Sequence, residues 1–263
     1  MKKVLIKQIL FVLLLSGILL SCSKNQYTTT EGSRYTITDI KGTRILMDSS
    51  WEAKVNPETR SMVDKYKKQL DDQMNEVIGE ATETMRAATP QSLLTNLTAD
   101  VMKQAGEKYT NQPIDFAVCN IGGHRAILAE GPITVGNMFE IYSFDNLLVI
   151  LELEGRFVKK LFEYYASNGG EGVSADVQLK INNKKIEYLF IGKQPVEDNK
   201  IYRIAALDYL ADGNSGMTAL TKAAKTIDTG IALRDIMIEY VRKCTAEGKK
   251  IGSKLDNRIV IEE

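Results

Sequence analysis

The run Asn120-Ile121-Gly122-Gly123-His124-Arg125 combines residue types that grip small polar ligands. It follows Ile114, Phe116, Ala117, Val118 and Cys119, an aromatic and β-branched series that predicts a strand. Two adjacent glycines let the backbone turn sharply and approach a ligand closely. Asn120 offers a donor and an acceptor, and the Arg125 guanidinium is a planar fork suited to phosphate or carboxylate. A plain Gly-Gly turn with a solvated arginine satisfies the same residues. Two other segments bear on the choice. Ser143-Phe144-Asp145-Asn146 stands directly before the apolar run Leu147–Leu151, which puts Phe144 and Asn146 at a strand mouth. Asp208–Gly216 is a polar, glycine-punctuated loop after a predicted strand, and carries Tyr209 and Ser215. Two loop aromatics can sandwich a flat base, at about 1–3 kcal/mol per stacked base. Each aromatic alone equally fits a core position.

The elements that must hold these segments follow from periodicity. Asn56-Pro57-Glu58 predicts a helix start, with Asn as cap and Pro in the first turn. Val63, Tyr66, Leu70, Met74 and Val77 fall on one face of that helix, and Gly79 suits its end. The face is either core or a surface for a partner. A second helix is predicted over 92–104, with Leu93, Leu97, Val101 and Met102 available for burial. Strands are predicted at 114–119 and at 147–153, the latter apolar enough to be central. Val158, Leu161, Phe162 and Tyr165 mark a helix ended by the glycine-rich Asn168–Gly172. Val177, Leu179 and Ile181 alternate, and Asn182-Asn183 begins a turn into Ile186, Tyr188 and Phe190. Tyr202, Ile204 and Ala206 form a further strand. Asp228 is the expected cap of a last helix carrying Leu233, Met237, Tyr240, Val241 and Cys244, before a closing strand at Ile259–Ile261. Without regular βαβ alternation the fold class is α+β, a mixed sheet with packed helices.

Residues 1–21 read as a secretory signal: Met1-Lys2-Lys3 is basic, and Ile9–Leu20 is apolar but short for a bilayer span. Leu19-Leu20-Ser21-Cys22 resembles a bacterial lipobox, which would make Cys22 the lipid-bearing N-terminus; an ordinary signal with an incidental cysteine is the alternative. The reading places the protein in a bacterial cell envelope, anchored in the outer or inner membrane and facing periplasm or surface. Residues 22–54 then form a tether and a short hairpin turning at Lys41-Gly42, and 55–263 the domain. Loss of Lys2, Lys3 and Lys7 leaves 31 basic against 34 acidic residues, which gives no electrostatic case for a nucleic-acid polymer. Cys119 and Cys244 sit among apolar neighbours and read as buried thiols rather than as a bridge. One histidine, His124, cannot furnish a metal centre, and it reads as a satisfied loop side chain.

The order of segments resembles the C-terminal domain of 5′-nucleotidases, a family that includes UDP-sugar hydrolases and 2′,3′-cyclic nucleotide phosphodiesterases. Its Glu-Ser-x-Leu-Gly-Asn-Leu-x-Ala-Asp is matched by Gln91–Asp100, with Gln and Thr replacing Glu and Gly. Its Asn-Gly-Gly-Gly-Ile-Arg is matched by Asn120–Arg125, its Pro-Phe-Gly-Asn by Ser143–Asn146, and its Asn-Asp-Phe/Tyr-Leu-x-x-Gly-Gly-Asp-Gly by Leu207–Gly216. The resemblance implies that Phe144 and Tyr209 stack a base, that Asn120 contacts it, and that Arg125 contacts phosphate. Asn146 is carried over at the strand mouth. Ser215 stands where the family has a carboxylate for the ribose hydroxyls, and an upstream phosphate-binding arginine has no counterpart in register, Arg86 being nearest.

Full enzymes of this kind carry a second domain with two metal ions, held by Asp-x-His and Gly-Asn-His motifs that this chain lacks. The resemblance therefore implies the nucleotide-recognition part of a 5′-nucleotidase-type hydrolase. It would act in nucleotide catabolism with a separately encoded metallophosphatase, with no cofactor in this chain and divalent metals only on that partner. The alternatives are a stand-alone nucleoside- or nucleotide-binding lipoprotein, and a structural surface lipoprotein whose site has decayed.

Overall fold

A computed structural model describes residues 41–46 and 56–262. The predicted signal segment, Cys22 and most of the tether lie outside these residues. Of the predicted hairpin, Arg44–Leu46 lie in neither helix nor strand, and the other arm lies outside the described residues.

From Asn56 on, the chain is α+β. Helix α1 spans Pro57–Met74 and is capped by Asn56, whose side chain accepts from the Glu58 and Thr59 N–H groups. It ends before Gly79, contrary to the sequence reading. Val77–Ala81 is instead strand β1, antiparallel to β3 (Gly131–Thr134). Gly79 is needed for close packing: a Cβ there would lie 2.6 Å from Val241 Cγ1. Helix α2 (Leu93–Thr110) starts at a Ser92/Thr95 capping box and runs two turns beyond the predicted end, to a left-handed Asn111. Gly106 within it lets the helix lie on the sheet, where a Cβ would be 2.8 Å from Ile150 Cδ1.

The main sheet has the order β10-β4-β9-β2-β5. Its strands are β2 (Phe116–Cys119), β4 (Leu147–Glu154), β5 (Gly172–Val173), β9 (Ile201–Leu207) and β10 (Lys225–Ala232). Strand β4 is interior, as its apolar run requires, and its Leu148–Leu151 are buried. Strands β2 and β9 are parallel, and every other pairing in this sheet is antiparallel. Between β3 and β4 comes α3 (Val135–Ile141). Helix α4 (Gly155–Asn168) ends on a left-handed Gly169. A second sheet, β11-β6-β7-β8, joins β6 (Val177–Asn182), β7 (Lys185–Ile191), β8 (Gln194–Pro195) and β11 (Ile259–Glu262). Asn183 and Lys184, both at positive φ, make the turn between β6 and β7, one residue later than the predicted Asn182-Asn183, because Asn182 still pairs with Lys185 in the ladder.

A short helix α5 (Asp208–Ala211) follows β9, and α6 (Leu233–Ala246) follows β10. Asp228 does not cap α6. It lies within β10, where its carboxylate accepts from the Gly230 N–H, and α6 begins after Ala232. Cys119 is buried, Cys244 half-buried, and both are free thiols. Among the described residues no helix is long and apolar enough to cross a membrane.

Candidate functional site

Topology brings the three predicted segments to one edge of the main sheet. Parallel β2 and β9 end side by side, so Asn120 and Tyr209 leave the same edge, and antiparallel β4 begins there with Asn146 just before it. Open sheets commonly bind ligands at such carboxyl ends. A cleft of about 290 Å³ lies at this edge, and Asn120, Arg125, Phe144, Asn146, Tyr209 and Ser215 all line it, together with Gly122 and Gly123. Phe144 is 48 % and Tyr209 43 % exposed, so neither is a core plug. Arg125 sits with its guanidinium carbon 5.9 Å from the Phe144 ring centroid, and no carboxylate among the described residues pairs with it. Its charge is available to an anion.

The glycine turn is held from beneath by groups the sequence reading missed. After β2, Ile121–Gly123 form a single 3₁₀ turn. Glu171 is buried and accepts from the Ile121 N–H at 2.7 Å and from Asn168 Nδ2 at 3.0 Å. Burial raises its pKa, while these two donors oppose the rise. Its only trace in the sequence is its place in the glycine-rich Asn168–Gly172, which reads as a helix stop.

His124 points inward and is satisfied by neighbours. Its Nδ1 faces the Ile121 carbonyl at 3.3 Å, and its Nε2 lies 2.9 Å from Thr98 Oγ1, which also contacts the Tyr142 hydroxyl at 2.8 Å. Only a protonated Nδ1 meets that carbonyl favourably. Nε2 is then the acceptor, and the Thr98 hydroxyl is shared between it and the Leu94 carbonyl at 2.8 Å. Burial lowers the His124 pKa to about 4, so the ring is neutral at ordinary pH.

Opposite edges of the cleft are also braced. Arg234 donates to the Tyr142 carbonyl at 3.0 Å and to Asp145 Oδ1 at 2.7 Å, which fixes the segment that carries Phe144. Asp208 Oδ1 accepts from the N–H groups of Leu147 and Tyr209, tying the start of β4 to α5. Asn214 Nδ2 donates to the Tyr209 carbonyl. Asn120 Nδ2 donates to Ser215 Oγ at 3.2 Å and so spans the cleft floor. Asn120 is only 7 % exposed, and its buried Oδ1 has no donor among the described residues.

The segment Gln91–Asp100 serves elsewhere. Gln91 donates to the Ile259 carbonyl and Asn96 to the Lys254 carbonyl, and Asp100 pairs with the buried Arg258. These residues fasten the C-terminal stretch to α2 and do not line the cleft. Arg86 is not among the lining residues either. The chain has one histidine. Among the described residues, no three His, Cys, Asp or Glu side chains converge as a metal site needs.

Fold and cleft together define an α+β domain with a cleft whose polar floor lies between two exposed aromatics. The family described as "5′-nucleotidase, C-terminal domain" matches residues 77–222, and the chain belongs to it. It is 28 % identical over 224 residues to the trifunctional nucleotide phosphoesterase protein YfkN of Bacillus subtilis, covering 78 % of this chain and 15 % of that protein. It is 27 % identical over 254 residues to the 5′-nucleotidase of Diplobatis ommata, covering 85 % and 43 %. Among solved structures, the 5′-nucleotidase precursor from Thermus thermophilus superposes with a TM-score of 0.65 at 23 % identity, over 78 % of this chain and 43 % of that one. The chain therefore spans less than half the length of these relatives.

Proposed function

We propose that this chain is the nucleotide-recognition part of a 5′-nucleotidase-type phosphoester hydrolase, and that a separately encoded two-metal phosphatase supplies the chemistry. The observation that carries the reading is the single cleft that gathers all six residues named from the sequence. In it Phe144 and Tyr209 stack the base, Asn120 contacts the base, and Arg125 meets phosphate. Its volume of about 290 Å³ suits a base and part of a sugar, with the phosphate beside the exposed Arg125 and open to a partner. The names of the relatives support the ligand class. We place the chain at a bacterial envelope surface, held by a lipid on Cys22 and a tether to about residue 54.

The test is titration of the purified chain with AMP, followed by addition of the metallophosphatase encoded beside it. Phe144→Ala and Tyr209→Ala should each weaken AMP binding by about 5- to 150-fold, the equivalent of one stacked face. The mixture should hydrolyse AMP faster than the phosphatase alone. Absence of AMP binding at millimolar concentration overturns the nucleotide reading. Tight binding with no rise in hydrolysis and no complex on sizing leaves a stand-alone binder instead.

A further inference from the structure

A second cleft, of about 310 Å³, adjoins the first at consecutive residues: Ser215 lines the first cleft and Gly216 the second. Its walls carry Phe157, Lys160, Tyr164, Thr218 and Lys222, from α4 and from the 3₁₀ turn Thr218–Lys222. Neither cleft is lined by a single Asp or Glu, although the chain has as many acidic residues as basic ones, 34 of each. Lys160 and Lys222 form no ion pair among the described residues, and Lys160 Nζ stands 5.7 Å from the Phe157 ring centroid. The shared wall is firmly shaped. Gly213, Ser215 and Gly216 are all left-handed, at φ 87°, 52° and 78°. A Cβ at Gly216 would run into the Tyr164 ring. Ser215 Oγ accepts from Asn120, which leaves its own hydrogen free to donate. A hydroxyl donor at the wall, followed by two unpaired ammonium groups and no carboxylate, is the pattern that receives an anion.

We infer that the second cleft takes a second phosphate, so that the preferred ligand is a nucleotide phosphorylated on its sugar as well as at the 5′ position. This rests on the nucleotide reading of the first cleft. With the base between Phe144 and Tyr209 and the 5′-phosphate at Arg125, the sugar lies toward Ser215. A phosphate on its 3′ oxygen receives the Ser215 hydrogen and passes Gly216 toward Lys160 and Lys222. A carboxylate at position 215 would repel such a group, whereas a serine does not.

Calorimetric titration of the whole chain with AMP and with adenosine 3′,5′-bisphosphate tests this. The bisphosphate should bind about tenfold tighter at low salt, and the gain should shrink as salt rises. The double variant Lys160→Gln, Lys222→Gln should lose that gain and keep the AMP affinity of the parent. Ser215→Asp should reverse the preference. Equal affinity for the two ligands in the parent, or a gain that survives in the double variant, overturns the second site and leaves the first intact. Binding of neither ligand overturns both.

Discussion

Glu171 shows how much of the Asn120–Arg125 turn is decided by a residue that does not line the cleft. Its carboxylate takes the Ile121 N–H at 2.7 Å in a buried setting, so removing it leaves that donor unpaired. An orphaned buried donor costs about 1–3 kcal/mol. Glu171→Ala should therefore lose that much in urea unfolding and weaken AMP binding as the turn relaxes. Glu171→Gln, which keeps an acceptor, should recover most of both. If Gln and Ala behave alike, the hydrogen bond is not what holds the turn. His124 gives a second prediction at this scale, with a sign fixed by burial. Its pKa is lowered to about 4 in the folded chain, against an ordinary value of 6.5. Above about pH 6.5 the ring is neutral in both states, and its packing contributes in full. Between about 6.5 and 4 only the unfolded chain takes up the proton, so stability falls with pH, by at most about 3 kcal/mol. Glu171, with a raised pKa, titrates in the opposite sense, so the readout is the difference between parent and His124→Gln. That difference should shrink steadily as unfolding is measured from pH 7 toward 4.5. Parallel curves would show that the ring is solvated.

At the scale of elements, the C-terminal stretch is locked by one buried arginine. Arg258 pairs with both oxygens of Asp100 at 3.0 Å, with Asp256 at 2.8 and 2.9 Å, and with the Val173 carbonyl at 2.7 Å. It thereby joins α2, β5 and the approach to β11. Arg258→Ala leaves two carboxylates without their counter-charge and should cost about 3–5 kcal/mol in denaturant unfolding. AMP affinity of the folded fraction should stay unchanged, because none of these groups lines the cleft. A loss below about 1 kcal/mol would mean that solvent reaches the pair. This lock also explains what could and could not be read in the sequence. The aromatic, asparagine and arginine of the cleft were legible because each follows or precedes a strand whose apolar run is local. The α+β class was legible for the same reason, as was a turn after β6, though it falls at Asn183-Lys184 and not at Asn182-Asn183. Gly79 and Asp228 misled because a helix cap and a close strand–helix contact call for the same residue types. The partners that decide between them, Val241 for Gly79 and the turn at Gly230 for Asp228, appear only once the chain is folded. Gln91–Asp100 stood out as a motif, yet its partners lie about 160 positions later, at Lys254–Ile259. Glu171 acts through a backbone N–H, which has no side-chain signature at all.

The molecule as a whole presents one element whose form outruns its packing. Helix α1 is 18 residues long and has no buried residue. Met62, Val63, Tyr66 and Leu70 are each more than half exposed, although their spacing marks one face. On its flank Lys67–Asp71 and Lys68–Asp72 form i,i+4 pairs at 2.6 and 3.0 Å, each worth only about 0.2–0.5 kcal/mol. Most helix stability in proteins comes from packing of an apolar face, which this helix leaves exposed. We propose this stripe as the docking surface of the partner phosphatase; it belongs to the domain and does not line the cleft. Tyr66→Glu with Leu70→Glu should abolish the stimulation of AMP hydrolysis in the mixture. It should leave the unfolding midpoint and the AMP affinity of the isolated chain where they were. Amide exchange in 57–74 should be fast in the isolated chain and slow several-fold in the complex. A variant that still stimulates the phosphatase as well as the parent would move the docking surface elsewhere. A variant that unfolds more easily would instead make the stripe part of the domain's own core, in which case Tyr66 and Leu70 exchange their interfacial role for a packing one.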